Sequence, residues 1–224
     1  MKKKMAIVLS LVLACSMSMT AAAAPSPSLI KTPGTQVVVD SSAVNVATGS
    51  AAAATTTSVN SSTSAVMEGT TFKNAAGQAI DPAAVALVVA PATAEQTAAA
   101  VQSFTTALTS AKASIVNFTG RQDISLTDAQ GRIRVLGASV VALQTADGQA
   151  VSQNGSISVN KTLAEILGTT TLAAGETVQA LYQRADGTWV AVPVVINNGV
   201  VAFALPSFAG AVNVVFTVAA GTSV

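Results

Sequence analysis

The feature that most constrains this chain is a two-residue apolar period, broken by glycine turns, from about Ser114 onward. Ile124 and Leu126 alternate with polar residues, Asp128-Ala129-Gln130-Gly131 makes a turn, and Ile133 and Val135 resume the alternation. Val140 to Leu143 runs on to Asp147-Gly148, and Asn154-Gly155 leads to Ile157 and Val159. Further strands are read at Val178 to Arg184, Trp189 to Ile196, Val200 to Leu205 and Asn213 to Val218. Ala185-Asp186-Gly187-Thr188 and Asn197-Asn198-Gly199 join some of them. Successive side chains of a strand face opposite ways, and Asp-Gly and Asn-Gly supply the positive φ that tight hairpins need. Short strands at this spacing predict an antiparallel sandwich or barrel. Pro193 has no amide proton, so its strand is expected at an edge or with a bulge.

Upstream the pattern changes. Ala84 to Ala90 is a continuous apolar run between Pro82 and Pro91, read as a buried strand. Thr93-Ala94-Glu95-Gln96 has the form of a capping box, and Val101, Phe104, Leu108, Ala111 and Ile115 follow at spacings of three and four. This predicts a helix over about 94–112, with Lys112 complementing its C-terminal dipole, packed by a narrow stripe onto a sheet. Thr162-Leu163-Ala164-Glu165 predicts a second helical turn ending before Gly168. Residues 24–65 are dominated by Ala, Ser and Thr and offer little apolar surface against the entropy of ordering them. They are read as a low-complexity disordered spacer, with Val37-Val38-Val39 or Val44 to Val46 able to add a short strand. The expected organisation is a signal peptide (1–23), the spacer (24–65), a small α/β segment (66–118) and an antiparallel β-rich module (119–224). The fold class is mainly β with one or two helices (α+β), the C-terminal module being sandwich-like.

The first residues carry an export pattern. Lys2, Lys3 and Lys4 precede an apolar run from Met5 to Ala14, and Ala21-Ala22-Ala23 meets the small-x-small rule before Pro25. Cleavage there gives a secreted chain. Alternatively, Val12-Leu13-Ala14-Cys15 has the form of a lipobox, and lipidation of Cys15 would tether the protein to a membrane surface. The apolar run continues through Met17 and Met19 to the Ala-x-Ala site, which favours the soluble route. No stretch reaches the ~20 residues of a spanning helix. Lys2, Lys3 and Lys4 leave with the leader, so 11 basic residues become 8 against 10 acidic, a net of about −2. That balance offers no basic footprint for nucleic acid.

The inventory of reactive side chains is short. The chain has 0 histidines and 1 cysteine, Cys15. No Ser-His-Asp relay, imidazole base or His-metal cluster can form, and no cysteine zinc site survives processing. No phosphate-cradling glycine loop is present, and no cofactor is expected. Ser28-Leu29-Ile30-Lys31 matches a Ser-x-x-Lys string, but Pro27 and Pro33 flank it within the spacer. Asp123-Ile124-Ser125-Leu126-Thr127 imitates a metal-dependent adhesion loop without the flanking strand and helix. Asp123, Asp128, Asp147, Glu165, Glu176 and Asp186 sit at predicted turns or loops, where carboxylates serve the backbone, rather than as the paired acids of a glycosidase. Trp189 and Tyr182 are the candidate ligand-facing aromatics, a platform on which a sugar could stack; packing across the sheet is the competing reading. Asn60, Asn117, Asn154 and Asn160 open Asn-x-Ser/Thr triplets, which a bacterial leader leaves unmodified.

The C-terminal stretch resembles a module recurring in uncharacterised secreted proteins of Gram-positive gut bacteria. The shared features are Gly175-Glu176-Thr177-Val178, Leu181-Tyr182-Gln183, Asp186-Gly187-Thr188-Trp189 with Val192-Pro193, Asn198-Gly199-Val200-Val201, Phe203 and Ser207-Phe208. The likeness covers roughly the last fifty residues, and Ala209-Gly210 replaces the usual Ser-Pro after the final Ser-aromatic pair. It implies a small all-β surface module and no activity. The sequence therefore predicts an exported, non-enzymatic envelope or secreted protein, binding a cell-wall glycan or another surface protein. A self-assembling fibre or surface-layer subunit is the alternative, and a carboxylate glycosidase is the third reading.

Overall fold

The computed structural model describes residues 36–38, 54–110, 126, 128–129, 132–168 and 170–220. The signal region with Cys15, Ser28 to Lys31, the Asp123 to Thr127 string apart from Leu126, and the C-terminal part of the expected helix stripe, including Lys112, lie outside these residues. In chain order the strands are β1 (Gln36–Val38), β2 (Thr55–Ser58), β3 (Ser64–Val66), β4 (Thr71–Lys73), β5 (Ala79–Ile80), β6 (Val85–Pro91), β7 (Arg132–Thr145), β8 (Ser152–Asn154), β9 (Ile157–Thr162), β10 (Glu176–Gln183), β11 (Trp189–Val192), β12 (Val194–Asn197), β13 (Val200–Leu205), β14 (Phe208–Ala209) and β15 (Ala211–Ala220). Among the described residues, two α-helices, α1 (Ala94–Ser110) and α2 (Leu163–Leu167), and a 3₁₀ turn at Pro82–Ala84 complete the regular structure.

The fold is mainly β, as expected. One sheet runs β11-β10-β15-β7-β6-β2, all antiparallel. β1 lies parallel to the start of β7, Val37 opposite Ile133. Facing it are two smaller sheets, β12-β13-β9-β3 and β14-β8-β4-β5. Three consecutive pairs, β3 with β4, β8 with β9 and β13 with β14, each contribute one strand to either sheet, in the same lateral order. The two are thus one layer broken by a transverse seam, and side chains close the seam. Gln153 Nε2 donates to Leu205 O (2.9 Å) and Pro206 O (3.2 Å), and Gly155 N donates to Ser207 Oγ (3.0 Å). Thr70 Oγ1 donates to Ser156 O (2.8 Å) and accepts from Ser156 N (2.9 Å). Gly155 sits at φ +110, and a Cβ there would lie 2.6 Å from Thr70 Oγ1 and 2.7 Å from Thr70 Cα.

Apolar burial on both faces of the large sheet makes three layers. Leu87, Leu143, Val178 and Val214 of the large sheet meet Phe72, Ile157, Val159, Val201 and Leu205 of the broken one. Phe203 and Phe216 bridge the layers edge to face, 5.5 Å between ring centres. On the opposite face α1 lays Ala100, Val101 and Phe104 against Ile133, Val135, Ala138 and Val215. Strands covered on both sides read as near-continuous apolar runs rather than clean alternation, which is why Val140 to Leu143 and Val178 to Leu181 carry apolar residues on both parities.

A bulge in β7 makes this double coverage possible. Phe216 lies opposite Gly137 and Thr217 opposite Val135, so Leu136 is an extra residue. Ile133 and Val135 before it, and Ala138 and Val140 after it, all face the helix, while Leu136 itself enters the sandwich core. Without the added residue, one half of β7 would present its apolar set to the wrong layer.

Both capping boxes form. Thr93 N donates to Gln96 Oε1 (2.9 Å) and Gln96 N to Thr93 Oγ1 (3.2 Å). Thr162 and Glu165 make the same exchange at α2, which ends at Gly168.

Three expectations are corrected. The spacer does not extend to residue 65, because β2 pairs with β6, Val59 is buried, and Ser64, the first residue of β3, is buried. Residues 66–118 and 119–224 are not separate units. β6 pairs with β7, and β4 pairs with β8, so strands from both segments share two sheets. Trp189 to Ile196 is not one strand. It breaks at Pro193, with β11 in the large sheet and β12 in the facing layer. The missing amide proton ends one ladder and the chain crosses to the other.

Candidate functional site

Trp189 and Tyr182 are not a surface platform. Trp189 is 0% exposed and Tyr182 2%. They stand on opposite faces of the large sheet, because Trp189 pairs with Gln183, the residue after Tyr182. Trp189 packs edge to face on Phe104 of α1, 5.6 Å between ring centres, and its indole Nε1 donates to Ser103 Oγ (3.3 Å). Tyr182 points into the sandwich core, and its hydroxyl accepts from Arg184 Nε (3.2 Å). The turn before Trp189 explains the local sequence. Gly187 takes φ +85, and Asp186 Oδ1 accepts from Thr188 N (2.9 Å) and Thr188 Oγ1 (2.7 Å), which holds the Asp186 carboxyl below its ordinary value. The motif is a hairpin that delivers one large ring to the helix–sheet interface.

The other candidate carboxylates among the described residues, Asp128, Asp147, Glu165 and Glu176, are engaged structurally. Asp147 accepts from the Thr145 hydroxyl, which lowers its pKa first among several turn contacts. Glu165 closes the α2 capping box. Burial raises its carboxyl, but the Thr162 amide and hydroxyl together with Lys161 outweigh it, so the net direction is downward. Asp128 and Glu176 share one cluster. Arg132 Nε lies 3.1 Å from Asp128 Oδ2, and Arg134 Nη1 lies 3.3 and 3.2 Å from the two Glu176 oxygens. Arg134 Nε is 4.0 Å from Asp128 Oδ2, so one guanidinium spans both acids. Glu176 also accepts from Ala173 N (2.9 Å). A carboxylate held by a guanidinium and backbone amides is an acceptor already committed, unlike the glycosidase pair that flanks a scissile bond. Among the described residues no group of three or more Asp, Glu, His or Cys is arranged to hold a metal ion.

Sequence reasoning missed a polar cluster beneath α1. Ser103 Oγ accepts from Gln183 Nε2 (2.8 Å) as well as from Trp189, and Asn213 Nδ2 donates to Gln183 Oε1 (3.3 Å). Nothing in the alternation marks it, since Gln183 and Asn213 read as outward polar residues until a helix covers that face. Lys161 was also unremarked. Burial depresses its ammonium, partly offset by Glu165.

The surface carries a different signal. The large apolar side chains left exposed among the described residues are Met67, Val195, Ile196 and Val200, and the last three share the β12–β13 hairpin. No described helix is long and apolar enough to cross a membrane. Compared with models of known families, curated proteins and solved structures, the chain matches none.

Proposed function

We propose that the chain is an exported, non-enzymatic structural or binding protein: a three-layer β-rich body presented at the end of an N-terminal low-complexity segment. The observation that supports this reading most is the commitment of those candidate site residues that the structure describes. Histidine is absent, the two candidate aromatics are core residues, and Asp128 and Glu176 are held in ion pairs. The leader-like N-terminus and sparse charge, 9% of residues, fit work outside the cytoplasm. A partner would meet the body's outer faces and edges. Fractionation of the producing cell, with pull-down on isolated wall and glycan, tests the reading. Protein in the envelope or medium that is retained on the wall is expected; a cytoplasmic protein with its leader intact, or turnover of a glycan panel, would overturn it. Mass spectrometry of the N-terminus separates the secreted form from a lipid-bearing Cys15 form.

A further inference from the structure

We propose that the free edge of β12 is a self-association site that takes β12 of a second copy, antiparallel, about a two-fold axis at Val195. Among the described residues β12 is the terminal strand of its sheet and pairs only with β13. The phase of its ladder follows from one bond, Ala204 N to Pro193 O (3.3 Å). Inward and outward backbone groups alternate along an antiparallel strand. Pro193, Val195 and Asn197 therefore turn toward β13, and Val194 and Ile196 turn their N–H and C=O toward the open edge.

Those four groups are self-complementary. With Val195 opposite its own copy, Val194 faces Ile196 of the partner copy and Ile196 faces Val194, so every outward donor finds an outward acceptor. Val195 is then a close, non-hydrogen-bonded pair across the axis. The side chains agree with this geometry. Val195 is 64% exposed, Ile196 36% and Val200 39%.

Charge favours a second copy as the occupant. Exposed edges in monomeric proteins are blunted by charge, above all Lys, by Pro or by bulges. Here no charged residue occurs from Gly187 to Val224. The nearest charge in the sheet, Lys161, lies two strands away on β9. Two such edges meet without repulsion, whereas a basic or acidic partner finds nothing to pair with. Pro193 at one end and the Asn198-Gly199 turn at the other confine the contact to four residues. Stable complexes bury about 1,200–2,000 Å², which this edge alone does not reach. The association is therefore weak, a monomer–dimer equilibrium between about 10 μM and 1 mM. This inference goes beyond the scaffold reading and fails separately from it, because it is measured on purified protein whatever the protein's location.

The test uses the full chain carrying Cys15→Ser, which has no other cysteine. Sedimentation velocity on that protein is expected to show dimer growing across the stated range, and Val195→Lys, which sets two ammonium groups face to face, to hold the protein monomeric throughout. Added Val195→Cys is expected to form a disulfide dimer at least about ten times faster than added Val200→Cys, because only position 195 meets itself across the axis. Should Val195→Lys lose its fold, the comparison of crosslinking rates decides. A wild type monomeric at ~1 mM, dimerisation unchanged by Val195→Lys in a folded protein, or equal crosslinking from the two positions would each overturn the proposal; the first would leave the edge to a different chain.

Discussion

Replacing Trp189 with Ala separates a core anchor from a ligand platform. The indole is fully buried, stacked edge to face on Phe104 and bonded to Ser103. Truncating a buried Trp to Ala leaves a cavity and loses transfer energy, about 3–5 kcal/mol; the aromatic pair contributes about 0.5–1.5 kcal/mol of specific geometry within that change. A loss near 4 kcal/mol is expected. At roughly 2–4 °C per kcal/mol for a body of this size, the thermal midpoint falls by about 8–16 °C. The chain has 1 Trp, so wild-type unfolding in urea can be followed by the emission of Trp189 itself, and the variant by far-ultraviolet circular dichroism. The native emission should be blue-shifted and insensitive to added oligosaccharide. A loss below about 1 kcal/mol, a native maximum like that of indole in water, or quenching by a sugar would refute the packing argument.

Gly155→Ala should destabilise by about 2–3 kcal/mol, since the new Cβ meets Thr70 backbone as well as side chain; urea titration should show that adding Thr70→Ala does not restore the loss. Arg134→Met leaves the covered Glu176 carboxylate without its cation and should lose about 3 kcal/mol in the same assay. Thr162→Ala removes the α2 cap and should lose about 1 kcal/mol at neutral pH. Because the folded Glu165 carboxyl lies below its ordinary value, its contribution is whole above the ordinary glutamate range and is lost as pH falls through the folded value; Thr162→Ala and wild type should therefore converge in acid melts. Lys161 gives the same slope with pH, but its buried charge is a cost at neutral pH rather than a gain. Its folded pKa is depressed by burial, so the unfolded chain binds that proton more tightly and stability rises as pH climbs from the folded value toward the ordinary lysine value. Lys161→Met should melt higher than wild type at pH 7, with the advantage shrinking toward alkaline pH.

Local chemistry was legible wherever the determinant lies within a few residues. Both capping boxes, the start of α1 and the turns at Gly148, Gly187 and Gly199 follow from neighbours in sequence. What was not legible depends on distant partners. Thr55-Thr56-Thr57-Ser58 has no apolar period, yet it forms a strand because an edge position asks only for backbone pairing with β6. The division at residue 118 failed because β6 closes against β7 across an intervening helix, and no local signal announces that closure. Pro193 marked a disruption correctly, but whether a strand bends, ends or changes layers is decided by the sheet it meets next. The side on which Trp189 is covered was equally hidden, since the ring faces wherever α1 lies. The role of Leu136 as the inserted residue emerges only from the register with β15.

β15 comes after every other described strand in chain order, yet it occupies the middle of the large sheet, flanked by β10 and β7. The body cannot close around its own centre until this segment arrives. A nascent chain lacking it holds two unmatched ribbons facing an empty slot, and so stays open until synthesis has passed residue 220. Truncation within those ten residues would not fray a tail but remove the keystone, leaving a polypeptide prone to stick to its neighbours.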